Sequence, residues 1–230
     1  MPLPPQVTNR HSAKKHPQHT IDWDARFRNR DTPWEEAVVA PDVPHLFDTF
    51  ARSGASVLDV GCGLGTNALW LAEQGFDVTG CDVSERAIET ARKRAARRGL
   101  SVRFIVADLL DRRSDLPPFD VVLSRGVLHS FMTDAGRYAF AAAVSSVLVL
   151  NGLWFDISGS ADTPGDPDRA LAEGWPRLTL AQIAAAAETY FEVVEVRRTR
   201  YGTTASTGFN AFACVFVRRG DRHVEIAKGC

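Results

Sequence analysis

Short apolar runs and stretches with helical spacing alternate along this chain of 230 residues. The apolar runs predict strands at 56–60, 76–81, 102–107, 120–124, 154–157, 191–199 and 209–218. The helical spacing predicts helices at 64–74, 85–98, 134–149 and 179–188, with an earlier helix from 42 or 44 to 52. Strands joined through helices form a parallel sheet, whereas the last two strands follow each other directly and form an antiparallel hairpin.

This order of elements predicts an α/β fold, a Rossmann-like three-layer sandwich. Its sheet has seven strands, mostly parallel, with one antiparallel strand in the edge region. Residues 20–230 are long enough for a single domain of this kind. Residues 1–19 contain four prolines and no acidic residue, so we expect a flexible leader, the alternative being a flap that orders over a ligand. The polar stretch at 159–177 predicts a long loop of the length that often forms a lid.

Two segments carry helix-start signals. Residues 179–182 have a capping box that opens the last predicted helix. The TPWE segment at 32–35 has the same signature, with Thr32 as N-cap, proline at the first helical position and Glu35 as the reciprocal partner. It predicts a helix start that fixes Trp34.

Composition narrows the class of protein. Apolar residues make up 45% and charged residues 24% of the chain, with a net charge of −1, so nothing favours a nucleic-acid or membrane partner. The basic run at 92–98 could be a nucleic-acid patch, but a solvated helix face is the better interpretation, since Glu89 supports Lys93 one turn later. The four cysteines show no metal-ligand spacing. We expect a cytoplasmic protein, a monomer or weak homodimer without a metal site.

The segment VLDVGCGLGTNALWLA at 57–72 contains the most informative motif. A strand leads into a turn with Gly61, Gly63 and Gly65, and a helix follows. Glycines there allow unusual backbone angles and close approach of a ligand. The dinucleotide fingerprint would place its third glycine at position 66, where this chain has Thr66. The difference argues against a nicotinamide oxidoreductase and for another nucleoside cofactor.

Polar residues also follow the next strands. Asp82 comes 21 residues after Gly61, at the spacing of an acid that accepts ribose hydroxyls. Asp108 and Leu109 follow strand three, where they could contact an adenine amino group and ring face. Because the carboxyl ends of parallel strands share one edge of the sheet, these side chains are expected to meet in one cleft.

The motif D-x-G-x-G-x-G, with an acid after strand two and another after strand three, resembles the class I S-adenosylmethionine (SAM) methyltransferases over about residues 50–218. The resemblance implies SAM as cofactor and a small-molecule substrate. Asp59 is more suited to holding the glycine turn than to touching SAM. The residues that the resemblance assigns to cofactor binding are Trp23, Trp34, Asp59, Gly61, Cys62, Gly63, Asp82, Val83, Asp108, Leu109 and Ser124.

A narrower resemblance rests on W-x-x-x-F at 23–27 with TPWE at 32–35, on RGVLHSF at 125–131 and on GLWFDISGSAD at 152–162. It is to the thiopurine methyltransferase branch, which includes tellurite-resistance and thiol methyltransferases. The branch implies that Trp23 and Trp34 cover the cofactor, although both could be core aromatics, and that Arg125 contacts the substrate. Ser124 departs from the branch, where an acid is frequent at this position. The branch implies methyl transfer to sulfur or another soft atom.

In-line displacement at the SAM methyl group requires mainly alignment of the nucleophile and exclusion of water. A thiol needs no dedicated base, since part of it is ionised near neutral pH. An alcohol or amine would need one, and His129 is the candidate; it could also line the pocket or be structural. Arg125 could orient an anionic substrate or pair with Asp156. The alternatives are an O-, N- or C-methyltransferase and a SAM-binding protein without catalysis.

Overall fold

The structure is a computed structural model that describes residues 21–35, 38–111, 116–161, 177–202 and 209–220. Its helices are α1 (Trp23–Arg28), α2 (Asp42–Phe50), α3 (Thr66–Glu73), α4 (Glu85–Arg98), α5 (Asp134–Val147) and α6 (Leu180–Ala187). Its strands are β1 (Ser56–Val60), β2 (Asp77–Asp82), β3 (Arg103–Val106), β4 (Phe119–Arg125), β5 (Leu148–Gly159), β6 (Phe191–Tyr201) and β7 (Phe209–Arg218). Short 3-10 turns follow β3 and β4, at Leu109–Asp111 and Leu128–Ser130.

The seven strands form one sheet in the order β3-β2-β1-β4-β5-β7-β6. β1 to β5 pair in parallel, and β7 runs antiparallel to both of its neighbours. The antiparallel strand therefore lies one position inside the edge, between β5 and β6. This topology confirms the predicted Rossmann-like sandwich. The strand order reverses between β1 and β4, which is where open α/β sheets bind ligands.

Two apolar clusters fill the space on the two faces of the sheet. On one face Trp154 and Phe140 pack among side chains of α5 and α6. On the other, Phe47 and Phe155 pack edge to face at 5.1 Å, together with apolar residues of α3 and α4. Burial on both faces explains why β1 and β4 read as continuous apolar runs. The two helix layers and the sheet hold the carboxyl ends of the strands rigidly.

The region before β1 differs from the prediction. No helix begins at Thr32; the backbone makes a single turn in which the N–H of Glu35 donates to the carbonyl of Thr32 at 3.0 Å. The capping signature was wrong there because the Glu35 side chain instead reaches the glycine turn after β1. A short helix occurs earlier, α1, and the Asp22 side chain caps it by accepting from the N–H of Ala25.

Other boundaries differ less. β1, α4 and β7 have the predicted bounds, and the capping box of Thr179 and Gln182 is present. β5 is longer than predicted and begins at Leu148, so α5 ends two residues early. The leader at 1–19 and nearly all of the predicted lid lie outside the described residues. Within the described part of the chain, no helix is long and apolar enough to cross a membrane.

Candidate functional site

The carboxyl ends of β1 to β4 open into a cleft with about 950 Å³ of open space, part of it continuous with solvent. We call it the main cleft. A smaller cavity of about 430 Å³ adjoins it. Trp34, Gly61, Arg125 and Tyr201 line both, so the two spaces meet at the point where the strand order reverses.

The glycine turn forms the floor of both spaces. Gly61 and Gly63 have φ of +66° and +53°, a region that favours glycine. A side chain would also collide with neighbours: a Cβ at Gly61 would overlap Val127, and one at Gly63 would overlap the carboxylate of Glu35. The turn therefore requires glycine for both conformation and space.

Asp82 holds the turn from the end of β2. Its Oδ2 accepts from the N–H of Gly63 at 3.0 Å, and its Oδ1 accepts from the N–H of Ser84 at 2.8 Å. Burial raises the pKa of this carboxyl to about 6, although the backbone hydrogen bonds act in the opposite direction. The carboxylate is thus preorganised, and it faces the cleft with capacity to accept further hydrogen bonds.

Asp108 and Leu109 come next along the edge, after β3. Both are buried and line the main cleft, and Val83 lines it beside Asp82. Oδ1 of Asp108 accepts from the N–H of Leu110 at 3.0 Å, which fixes the carboxylate at the start of a short turn. An acidic acceptor and an apolar surface therefore stand next to each other, as the sequence predicted.

Aromatic side chains from the N-terminal segment cover the cleft. Trp34 packs edge to face against Trp23 at 5.5 Å and against Phe27 at 6.0 Å, and the guanidinium of Arg26 lies 4.4 Å from the Trp34 ring centre. All four line the main cleft. We call the rings of Trp23, Phe27 and Trp34 the aromatic wall, which gives this side of the cleft an apolar surface.

The wall is tied to the domain through Asp24 of α1. Its Oδ1 accepts from the Ser84 hydroxyl at 2.7 Å and from the N–H of Arg86 at 3.0 Å. Ser84 is also the N-cap of α4, where it accepts from the N–H of Ala87. The helix that covers the cleft is thus attached to the strand end that supplies Asp82.

The β4 side of the cleft carries different groups. Arg125 ends β4, and its guanidinium lies 4.1 Å from the ring centre of Tyr201. Gly126, with φ of +82°, lets the Tyr201 hydroxyl approach the backbone, since a Cβ there would overlap that oxygen. Tyr201 comes from the end of β6, 76 positions along the chain from Arg125, and it stacks on Phe209 at 5.0 Å.

His129 follows on the turn after β4. It is buried, it lines the main cleft, and its ring centre is 5.7 Å from that of Tyr201. Its Nδ1 accepts from the backbone N–H of Gly159 at 2.9 Å. Burial, and to a smaller degree the charge of Arg125, lowers the pKa of His129 to about 4. The imidazole is therefore neutral near pH 7.

The smaller cavity is lined by Asp59, Cys62 and Glu35, with Arg125 at its junction with the main cleft. Burial raises the pKa of Asp59 to about 8 and that of Glu35 to about 7, the neighbouring charge of Asp82 adding to both. Burial also raises the pKa of the Cys62 thiol, which stays protonated. Among the described residues, Oδ2 of Asp59 has no hydrogen-bond partner. Buried polar atoms of that kind mark a place for a ligand group or a water.

Ser124 is the predicted cofactor residue that the structure places elsewhere. Its hydroxyl donates to Oδ1 of Asp156 at 2.7 Å and accepts from the indole N–H of Trp154 at 2.9 Å. It lines neither cavity. Oδ2 of Asp156 accepts from Ser158 at 2.7 Å. Successive side chains of a strand point to opposite faces of the sheet, so Ser124 points into the core, away from the side that Arg125 takes.

The remaining predicted residues divide between the two spaces. Asp59 and Cys62 line the smaller cavity, and the following predicted residues line the main cleft: Trp23, Trp34, Gly61, Gly63, Asp82, Val83, Asp108, Leu109, Arg125 and His129. Three further lining residues were not predicted as site residues: Phe27, Glu35 and Tyr201. Phe27 was part of a quoted motif, but no local signal brings Glu35 or Tyr201 to the cleft.

The segment that supplies many of these residues matches a known protein family. Residues 57–152, which run from β1 into β5, match the family of the "Methyltransferase domain". Over these residues the chain is therefore similar to a methyltransferase domain. The match covers the glycine turn, Asp82 and Asp108, and stops short of the segments that complete the β4 side of the cleft, Gly159 and β6.

Two curated relatives are similar to part of this chain. A 2-heptyl-1-hydroxyquinolin-4(1H)-one methyltransferase of Mycobacteroides abscessus is 35% identical over 99 residues, 43% of this chain and 43% of that protein. A ubiquinone biosynthesis O-methyltransferase of Methylocella silvestris is 34% identical over 102 residues, 44% of this chain and 39% of that protein. The match thus spans less than half the length of these curated relatives.

A solved structure is similar over nearly the whole chain. It comes from work on the conversion of a disulfide bond into a thioacetal group during echinomycin biosynthesis. The TM-score is 0.75 at 26% sequence identity, over 87% of this chain and 91% of that chain. The similarity covers much more of the chain than the match to the methyltransferase domain at 57–152.

Proposed function

We propose that this protein transfers a methyl group from SAM to a small-molecule thiol or other soft nucleophile. The observation that carries the proposal is the meeting of the glycine turn, Asp82 and Asp108 in one cleft beneath an aromatic wall. The domain match and the solved relative support the cofactor. The acceptor is argued from the β4 side of the cleft.

The residues present fit SAM. The prepositioned carboxylate of Asp82 suits the ribose hydroxyls, and Asp108 with Leu109 suits the adenine. The aminoacyl end of SAM carries one positive and one negative charge. The smaller cavity offers the unpartnered Oδ2 of Asp59 to the ammonium. Burial of Asp59 is tolerable once a cation neutralises it.

When bound, SAM supplies a methyl group made electrophilic by the adjacent sulfonium. The chain's own residues have to align an acceptor and exclude water, effects that together can be worth on the order of 7–11 kcal/mol. Trp23, Trp34 and Phe27 exclude water from one side of the cleft, and Phe131 and Phe140 line it near His129. Arg125 and His129 contact the acceptor as positioning groups.

Two observations favour sulfur. The acceptor side combines aromatic surface with the cation Arg125, a suitable surrounding for a polarisable anion. The solved relative belongs to work on a reaction of a disulfide bond, a sulfur substrate. We propose that the acceptor class is that of the thiopurine and tellurite-resistance branch, which the residues around 23–27 and 125–131 resemble.

An oxygen acceptor is the second candidate, because the two curated relatives include a named O-methyltransferase and a hydroxyquinolinone methyltransferase. Their matches cover 43% and 44% of this chain. An oxygen acceptor would require a base, and the Nδ1 lone pair of His129 is already used by Gly159.

The test is methyl transfer from isotopically labelled SAM to a panel of thiols, halides, tellurite, phenols and amines. We expect labelled product with thiols and other soft acceptors. Transfer confined to phenols or amines would contradict the sulfur proposal. SAM binding measured by calorimetry without transfer to any acceptor would favour a binding protein, and the absence of SAM binding would contradict the cofactor assignment.

A further inference from the structure

His129 is placed at the acceptor side of the cleft, yet its hydrogen bonding is incompatible with the role of a base. A backbone N–H is always a donor, so the ring nitrogen that faces Gly159 at 2.9 Å must be the one with the lone pair. In a neutral imidazole the other nitrogen then carries the proton. Nε2 of His129 is therefore an N–H donor.

The surroundings of the ring keep it in this state. Arg125 on the same segment faces it with a positive charge, and Tyr201 faces it from β6. Asp156 of β5 is engaged by the hydroxyls of Ser124 and Ser158, and Arg137 of α5 donates to the carbonyl of Phe131. Among the described residues of these elements, no carboxylate bonds to His129, and both burial and Arg125 favour its neutral form.

Side chains of different chemistry line the two sides of the main cleft. Its carboxylates are Asp82 and Asp108, at the ends of β2 and β3. The polar side chains that line it on the β4 side are Arg125, His129, Ser130 and Tyr201. The Ser130 hydroxyl donates to the carbonyl of Val127 at 2.7 Å, so its proton is already engaged within the protein. This side thus presents a cation and an N–H donor to an acceptor.

From this geometry we infer that the acceptor binds as an anion, a thiolate that has already lost its proton to water, and that His129 positions it by donating from Nε2. This inference rests on the proposed function. In the transfer step the thiolate sulfur supplies an electron pair to the methyl carbon. The bond from that carbon to the sulfonium breaks, its electrons stay on the SAM sulfur, and no proton moves.

The first test needs no turnover. In protein labelled with ¹⁵N-histidine, the ring resonances of His129, identified by their loss in His129→Asn, should show the Nε2–H tautomer. They should not titrate between pH 6 and 9. An Nδ1–H tautomer, or titration in that range, would overturn the inference whatever the acceptor proves to be.

The second test compares two variants that remove the basic nitrogen in different ways. In His129→Asn the amide oxygen can replace Nδ1 as the partner of Gly159, but nothing reaches the position of Nε2. In His129→Gln the amide nitrogen can replace Nε2 as a donor. We expect kcat/KM to fall by about 10- to 100-fold in the Asn variant. In the Gln variant we expect the loss of kcat/KM to be at least fivefold smaller. Equal losses would overturn the donor role.

The pH profile completes the test, with thiophenol and benzyl mercaptan as an acidic and a weakly acidic thiol. If the thiolate binds, kcat/KM rises with pH through an inflection that lies lower for thiophenol and keeps its shape in both variants. One common inflection for the two thiols, lost in the variants, would identify His129 as a base and overturn the inference. No methylated thiol from either probe would instead overturn the proposed sulfur acceptor, and the thiolate with it. Melting temperatures and SAM affinity verify that each variant is folded.

Discussion

The two sides of the main cleft differ in the sign of charge that they can accept. The β2–β3 side presents Asp82 and Asp108, whereas the β4 side presents Arg125 and His129. Burial raises the pKa of Asp82 to about 6 and lowers that of His129 to about 4, so it favours the neutral form in both places. Both groups become more favourable when a ligand with complementary hydrogen-bonding groups binds in the cleft. In the proposed function, the β2–β3 side is the cofactor side, which suits hydroxyls and cations, and the β4 side is the acceptor side, which suits an anion.

The largest effect is expected on the cofactor side. Asp82→Ala removes the acceptor for two backbone N–H groups and, by our proposal, for the ribose. SAM affinity should fall by about 2–3 kcal/mol, roughly 30- to 150-fold, measured by calorimetry. Asp77→Ala, at the exposed start of the same strand, is the control. Equal affinities in the two variants would mean that the ribose binds elsewhere.

The smaller cavity and the β4 side of the main cleft should respond oppositely to pH. Asp59 and Glu35 have raised pKa values in the folded protein, about 8 and about 7, so the folded state binds more protons than the unfolded state between pH 4 and 8. Their contribution to the unfolding free energy therefore falls as pH rises through this window. The lowered pKa of His129 has the reverse effect: the unfolded state binds the extra proton between pH 6.5 and 4, so stability falls as pH falls there.

Of Asp59, Glu35 and His129, only the two acids should change the unfolding free energy with pH above pH 6.5. The unfolding free energy of the ligand-free protein should fall between pH 6.5 and 8.5, and in Asp59→Asn the fall should be smaller by about 1–2 kcal/mol. Urea unfolding at the two pH values measures it, with Asp77→Asn as an exposed control. A fall of the same size in Asp59→Asn would show that Asp59 carries no unfavourable charge.

A smaller effect is expected on the acceptor side. Gly126→Ala places a Cβ on the Tyr201 hydroxyl, whereas Gly99→Ala, at a similar positive φ, meets nothing within 4 Å. Both variants should lose about 1 kcal/mol of stability from the left-handed backbone. kcat/KM for methyl transfer should fall by roughly tenfold in Gly126→Ala alone, about 1.4 kcal/mol. Equal kinetics in the two variants would remove Tyr201 from the acceptor site.

The smallest effect concerns the wall that spans both sides. Asp24→Ala releases α1 from Ser84 and Arg86 at the start of α4. Losing partly exposed hydrogen bonds should weaken SAM binding by about 0.5–1 kcal/mol. The matched control is Glu89→Ala, which removes an exposed partner of Arg86 on the same helix. Calorimetry that finds no difference between the two would mean that the wall orders independently of this attachment.

Much of the cofactor side could be predicted from the sequence, because its groups are local to strand ends. Asp82 and Asp108 each follow an apolar run, and a parallel sheet brings such positions to one edge. Ser124 occupies a comparable strand end but was misassigned. The position alone did not say which face of β4 it points to, and its partners Trp154 and Asp156 lie on another strand.

The sequence by itself determined the α/β order, the glycine turn and the carboxylates that follow β2 and β3. The tertiary structure decided the rest of the cleft: Glu35 beside Gly63, Tyr201 over Arg125, and the proton on His129. The physical reason is separation along the chain. Strand ends converge by topology, whereas the state of His129 depends on one backbone N–H, at Gly159, which β5 brings to its ring from 30 residues away.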